Sequence, residues 1–386
     1  MYSDLESYYL RWYHERPVAI TSARSMELQR LHRILHTCIT YFAGHYEEFV
    51  QKYMPLTSRE MDILAEQRRY PFKAGTYRPD YIISSTGQLL LCEITSRFFA
   101  HGIFMSWFAK RARERFLRDY PDTCPEKDFD HLMDYMLRIT NGHKRMYVLK
   151  SADRTSEIRL YKRFYEAHGM SVEVLEENEV EPRIAEWSED AFVVSALNQR
   201  DLLSFSDRTL QTMMEVGMVS DFRNIFLIHD KRFLALWHLD EFTSACLSED
   251  DASFLRAHSI PTFLTMPEDL RDNKDRYILK PCRLGKSEDL WAGPLASVHD
   301  WQKRIDQGTE GMIVQPFITQ RSYPTVWEGT PFNDYLCGMM LCIDDQFFDT
   351  GFFRCSSLPV TNIGDNRKAC AIHTDDPGIL KKCDIL

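Results

Sequence analysis

An α/β fold of several packed subdomains is predicted by three features of the sequence. The chain has 386 residues of which 44% are apolar, more than a single core usually accommodates, so two or three subdomains are expected. A strand, a helix and a strand follow one another at Lys144 to Leu149, Glu157 to His168 and Ser171 to Leu175, which is the pattern of a parallel βαβ unit. Two long β-rich runs, Tyr335 to Ile343 and Gln346 to Arg354, flank an Asp344-Asp345 turn near the end, which adds an antiparallel portion.

Taken in order, residues 1 to about 70 read as helical, because Leu28, Leu31, Ile34, Leu35, Cys38 and Ile39 recur at helical spacing and Tyr41, Phe42 and Phe49 continue the stripe. This layer is expected to pack or to dimerise. At Gly75 the pattern changes: Asp80 to Ile83 and Leu89 to Ile94 are β-rich runs joined by the turn cluster Ser84 to Gln88, and so predict a hairpin. A helix follows from about Phe104 to Tyr120, then the βαβ unit, a further strand at Ala191 to Ser195, and a helix at Ser206 to Val216. From Asp221 the apolar run Asn224 to Ile228 leads to His229-Asp230-Lys231-Arg232. Later come the strand Tyr277 to Leu279, a helix near Val298 to Asp306 and the strand Met312 to Ile318. The implied organisation is 1–72, a helical layer; 73–140, carrying the hairpin; 141–220, the βαβ substrate-binding subdomain; and 221–386, the nucleotide-binding portion.

Composition narrows the function. A net charge of −10 argues against a nucleic-acid surface, so an anionic ligand must be held by local cations. No run of about 18 apolar residues predicts a membrane span, and the start lacks a signal-peptide pattern. The ten cysteines contain no C-x-x-C, which suits reduced thiols in a cytoplasmic protein. Zinc is unsupported because His and Cys lack ligand spacing, and G-x-S-x-G, H-E-x-x-H and a post-strand G-x-G-x-x-G are absent.

The richest stretch for chemistry runs from Arg276 to Gly293. A short apolar strand delivers Lys280 to its end, Pro281 ends regular pairing, and a polar loop holds Arg283, Gly285, Lys286 and Ser287. A lysine ammonium is a compact point charge suited to phosphate, and loop N–H groups supply further donors. Gly285-Lys286-Ser287 is no P-loop, since the first glycine of that motif would fall at Lys280. Lys231 likewise ends an apolar run, Glu93 ends a strand, and the run from Met312 enters a loop through Gln315, Phe317 and Ile318. Lysines for phosphate, a carboxylate for a hard cation and a strand end for a purine edge together describe an ATP and Mg²⁺ site.

In their order along the chain these motifs resemble the eukaryotic-type glutathione synthetase group, the circularly permuted branch of the ATP-grasp superfamily. Arg78-Pro79-Asp80 precedes Glu93-Ile94-Thr95-Ser96, where the group has an arginine and then a hairpin ending Glu-Ile-Asn-Thr. Asp230-Lys231-Arg232 matches a lysine opening a helix after a strand. Lys280-Pro281-Cys282-Arg283-Leu284-Gly285-Lys286-Ser287 matches the glycine-rich loop, and Arg354-Cys355-Ser356-Ser357 with Val360 to Gly364 matches a late arginine and closing loop. The resemblance runs from about residue 75 to 375. It implies an ATP-grasp fold and a ligase that phosphorylates a carboxylate and joins it to an amine, both small molecules; composition predicts no nucleic-acid or membrane partner, and the helical layer makes a homodimer one expected assembly.

By the same resemblance Lys231 and Lys280 hold phosphates with Gly285, Lys286 and Ser287. Gln315, Phe317 and Ile318 meet the adenine, and Lys280, Arg78 and Arg354 are catalytic. Arg78, Asp80, Ser96, Arg97, His101, Arg354 and Asn362 face the substrate. The chain departs from the group at two metal positions, Thr95 for an asparagine and Leu284 for a glutamate. Glu93 is then expected to hold the metal with Glu288, four residues past Leu284, and Asp289 is a second possibility. Two other functions fit the same residues: a small-molecule kinase, and a nucleotide-binding relative that has lost catalysis.

Overall fold

The computed structural model describes residues 2–97, 102–118, 129–151, 157–188, 190–285, 287–361 and 365–386. Their strands are β1 (Val18–Ile20), β2 (Thr76–Ile83), β3 (Leu89–Thr95), β4 (Arg145–Lys150), β5 (Ser171–Glu176), β6 (Ala191–Ala196), β7 (Tyr277–Pro281), β8 (Trp291–Ala292), β9 (Met312–Pro316), β10 (Ser322–Trp327), β11 (Thr330–Ile343), β12 (Gln346–Ser356), β13 (Lys368–His373) and β14 (Asp384–Ile385). They form three sheets, and the mixed α/β architecture expected from the sequence is the one observed.

The large sheet has the order β14-β1-β13-β12-β11-β2-β3. Residues 337–343 of β11 pair with β2, and residues 330–335 pair with β10, so β10 prolongs the same edge. The central strands are buried on both faces. In β11, Met340 and Cys342 pack into one core while Met339, Leu341 and Ile343 pack into another, as the two-residue period of a strand requires. This explains why β11 and β12 read as near-continuous apolar runs.

The first core is closed by the helix Ser22–Tyr53, whose Leu28, Leu31, Leu35, Cys38, Ile39 and Phe42 are fully buried. Thr21 caps its start by accepting from the Arg24 N–H at 3.3 Å. On the opposite face the helix Ile103–Leu117 buries Phe104 and Phe108 against Met339, Leu341 and Phe352. The helical reading of the first 70 residues needs one correction: Val18–Ile20 is a strand, pairing in parallel with β13 and β14. Three residues are too few for periodicity to reveal, and the pairing partners lie more than 350 residues away.

The βαβ unit is as expected, with β4 between β5 and β6 and all three parallel. The small sheet, β8-β7-β9, is antiparallel. Its outer side is backed by the helix Val298–Asp306, where fully buried Trp301 packs with Tyr277, Leu279, Met312 and Val314 and donates to the Leu270 carbonyl at 3.0 Å. A strap at 258–263 ties the two sheets together. The Leu91 N–H donates to the His258 carbonyl at 2.8 Å, and Phe263 exchanges backbone hydrogen bonds with Val314 at 2.8 and 3.0 Å.

The run Asn224–Ile228 is a buried π-helical turn, whereas the resemblance implied a strand before Lys231. A five-residue apolar run carries no period that separates the two, and its burial among the first core's side chains decides the matter.

Candidate functional site

One cleft lies between the large and small sheets and encloses about 710 Å³, part of it open to solvent. The small sheet's two-residue period places its wall. Tyr277 and Leu279 of β7 face the Trp301 core, so Ile278 and Lys280 face the cleft. In β9, Met312 and Val314 face that core and Gln315 faces the cleft with Pro316, followed by Phe317 and Ile318.

The opposite wall depends on an irregularity. Asp80 pairs with Glu93 but Tyr81 pairs with Leu91, so Cys92 is an extra residue in β3. Leu89 and Leu91 face the first core before this bulge, and Ile94 does so after it. The bulge therefore lets both Cys92 and Glu93 line the cleft, the re-aiming for which bulges are used beside functional sites. Asp80 and Ile82 of β2, Cys337 of β11 and Arg354 of β12 complete this wall.

Of the residues singled out in the sequence, Asp80, Glu93, Lys280, Ser287, Gln315, Phe317, Ile318 and Arg354 thus meet in one place. Lys280 Nζ donates to the Cys92 carbonyl at 3.3 Å across the cleft. Burial disfavours the charged form of Glu93, yet Lys231, Lys280 and Arg78 together hold its carboxyl below its ordinary value. Lys231 is buried and donates from Nζ to the Leu284 carbonyl at 2.6 Å, while its backbone N–H donates to the Cys282 carbonyl at 2.8 Å. The lysine segment and the loop are also tied by charge. Buried Asp230 accepts from Arg232 at 3.0 and 2.7 Å and from Arg283 at 3.0 Å, and Arg283 reaches on to buried Glu60.

The other expected residues fall elsewhere. Arg78 is buried with its fork filled by Asp80, Nε to Oδ1 at 2.7 Å and Nη2 to Oδ2 at 2.9 Å; burial opposes its charge, but Asp80 more than compensates and raises its pKa. Arg78, expected among the catalytic and substrate-facing residues, is thus engaged by Asp80 in a buried ion pair. Ser96 and Arg97 line a separate small pocket with Ser195, Asp221 and Phe222. Ser96 donates from its N–H to His229 Nδ1 at 3.4 Å. Gly285 and Glu288 are exposed on the loop and do not line the cleft. Asp289 accepts from Trp291 Nε1 at 2.7 Å and from Arg304 at 3.3 Å, which occupies it away from a ligand. His101, Lys286 and Asn362 lie outside the described residues.

Several lining residues carried no signal in the sequence. Cys92 and Cys337 belong to no motif, and Ile260 belongs to a strap without one. Pro359 likewise belongs to no motif, whereas Val360 and Thr361, also in the lining, open the segment expected to close over the site. Period-two patterning could have placed Ile278 beside Lys280; nothing local could have announced the bulge.

The donor set can be tested against a nucleotide and a metal. Gln315 lines the cleft but is fully buried: its Nε2 donates to the Thr262 hydroxyl at 2.8 Å, and its Oε1, without a hydrogen-bond partner, is closed off from solvent. No group of three or more His, Cys, Asp or Glu able to hold a metal occurs among the described residues. Glu93 remains as a cleft carboxylate, and one or two carboxylates suffice for Mg²⁺ when phosphate oxygens fill the rest of its shell.

Comparison with known proteins bears on one wall of this cleft. A protein described as ATP-grasp enzyme ankG, from Aspergillus thermomutatus, is 23% identical over 328 residues, covering 69% of this chain and 68% of its own length. The family model described as the AnkG N-terminal domain matches residues 28–227, a span holding β2, the bulged β3 and the βαβ unit. Because that match takes in more than half of the 386 residues, the chain belongs to the AnkG N-terminal domain family.

Proposed function

We propose that this protein is an ATP-dependent carboxylate–amine ligase of ATP-grasp type, similar in its layout to the circularly permuted glutathione synthetase group. The observation that carries the reading is that Glu93, Lys280, Gln315 and Arg354, drawn from two sheets, line one cleft. The name of the Aspergillus relative, an ATP-grasp enzyme, supports the same class.

In this reading Ile278, Phe317 and Ile318 form a slot for the adenine, beside the Gln315 carbonyl. Lys280 and Lys231 neutralise the triphosphate from the far end of β7, with Ser287 contributed by the loop. Glu93 is the residue that would hold Mg²⁺. A bound Mg²⁺ supplies charge neutralisation on the phosphate oxygens. Arg354 positions the carboxylate of the acid substrate. Phosphoryl transfer requires positioning and electrostatic stabilisation more than covalent help, which is what this wall of cations offers. The bond from the terminal phosphorus to ADP breaks as the carboxylate oxygen bonds to it. An amine then forms the C–N bond, inorganic phosphate leaves, and the amine's proton passes to solvent. The nine described cysteines are all free thiols, which fits a reducing, cytoplasmic setting for such an enzyme.

The test is ADP release by the full chain with ATP, Mg²⁺ and a panel of amino acids and small polycarboxylates, run with and without hydroxylamine. A ligase gives ADP that depends on the acid, together with a hydroxamate trapped from the acylphosphate. ADP with no hydroxamate indicates phosphorylation of a hydroxyl and overturns the ligase reading. ATP binding without ADP under every mixture overturns catalysis.

A further inference from the structure

We propose that Glu60, which belongs to the helical layer and not to the cleft lining, is a positioning residue for the polyphosphate: through Arg283 it fixes the loop whose Leu284 carbonyl orients the Lys231 ammonium. This rests on the nucleotide-binding reading above and adds to it two residues, Glu60 and Arg283, that touch no ligand.

The contacts form a chain from the helical layer to the cleft. At the start of the helix Ser58–Gln67 the Thr57 N–H and hydroxyl both donate to Glu60 Oε2, at 2.7 and 2.9 Å. The cap thus fixes one oxygen of a fully buried carboxylate and leaves the other, Oε1, to accept from Arg283 Nη1. Arg283 is held a second time, its Nε donating to Asp230 Oδ2 at 3.0 Å, and Asp230 is fully buried as well. Two buried carboxylates on separate segments therefore grip one guanidinium, whose donors point in fixed directions. The next residue is Leu284, and its carbonyl accepts from Lys231 Nζ at 2.6 Å. The Cys282 carbonyl, on the other side of Arg283, accepts the Lys231 backbone N–H at 2.8 Å, so the loop is fastened to the lysine segment both before and after Arg283.

A lysine ammonium carries three donors at the end of a flexible stem. One of them, committed to the Leu284 carbonyl, sets the direction of the other two. The charge also borders the cleft: burial opposes the ionised form of Glu93, and Lys231 is foremost among the cations that overcome it. Loosening the loop releases the ammonium, which must then be ordered anew when a phosphate binds, at a cost in affinity. The slot assigned to the adenine, at Ile278, Phe317 and Ile318, belongs to the small sheet and is backed by the Trp301 core. It has no share in this chain of contacts, so the ring and phosphate ends of a nucleotide should respond separately.

The experiment is binding of ATP and of AMP, each with Mg²⁺, to the full chain by calorimetry, with thermal melts to confirm folding. The variants are Glu60→Gln, Arg283→Met, Lys231→Met and the double variant Glu60→Gln with Lys231→Met. Glutamine serves in a capping box as glutamate does, so Glu60→Gln keeps the helix start and removes the charge that holds Arg283. It is expected to weaken ATP by on the order of 10-fold, as loss of a hydrogen bond to a charged group does, and to leave AMP within about twofold. Arg283→Met should do the same. In the Lys231→Met background Glu60→Gln should have no further effect, because the two act as one unit. A purely structural role would weaken ATP and AMP in parallel and would add to Lys231→Met; either result overturns the proposal, as does wild-type ATP affinity in both Glu60→Gln and Arg283→Met, or loss of the fold in both. A folded wild type that binds neither nucleotide, or binds ATP no better than AMP, overturns the phosphate-binding reading itself.

Discussion

Lys280 owes its place to strand parity: it shares a face of β7 with Ile278 while Tyr277 and Leu279 fill the core behind. Replacing it by alanine removes a cleft cation and no core volume, so Lys280→Ala is expected to lower turnover by on the order of 10²-fold or more with little change in melting temperature. Near wild-type turnover would remove Lys280 from the phosphate site. Arg78 and Asp80 behave differently, since both are buried and satisfy each other. Asp80→Ala leaves a buried guanidinium uncompensated and should cost about 3–5 kcal/mol, read from urea unfolding. A loss under about 1 kcal/mol would show the pair to be solvated.

At the scale of elements, the bulge at Cys92 and the close contact of β11 with β2 shape the wall that bears Glu93 and Asp80. Gly338 stands opposite Tyr81, and a Cβ there would lie 2.1 Å from the Tyr81 ring. Gly338→Ala is therefore expected to destabilise by about 1–3 kcal/mol through overpacking. Adding Tyr81→Ala should make the glycine replacement close to neutral in a double-mutant cycle; an additive double mutant would mean that the clash is elsewhere. The helix Ser58–Gln67 is stopped at its start by a capping box of Thr57 and Glu60. Because Glu60 also holds Arg283, this cap bears on the loop that carries Lys231's acceptor. Elements of this kind are only partly legible from sequence. Thr57 and Glu60 at capping spacing can be read locally, as can the β2–β3 hairpin. The bulge cannot, because Leu89-Leu90-Leu91-Cys92-Glu93-Ile94 is compatible with either parity until its partner strand is known.

For the whole molecule, acid sensitivity follows from two buried histidines. Burial, then Lys231, pushes His229 from 6.5 down to about 3, and burial, then His36, pushes His32 down to about 4. Between those values and 6.5 the unfolded chain binds protons that the folded chain does not, so stability is full above about pH 6.5 and falls as pH drops toward 4. Each unit of displacement corresponds to about 1.4 kcal/mol. Melting temperature should decline over that window, and less steeply in His229→Gln; an unchanged slope would place the linkage in other groups.

The sequence by itself determined the alternation of helices and strands, the βαβ unit, the long closing strands and the kinds of side chain available for an anionic ligand, since periodicity and turn chemistry act over a few residues. The pairing of β1 with the distant β13 and β14, the turn at Asn224–Ile228, the neutralisation of Arg78 by Asp80 and the absence of Glu288 from the cleft were decided only by the tertiary structure. Each depends on which groups share a buried space, and burial is a property of the assembled chain: it sets whether a cation is spent on a neighbour or left facing a ligand.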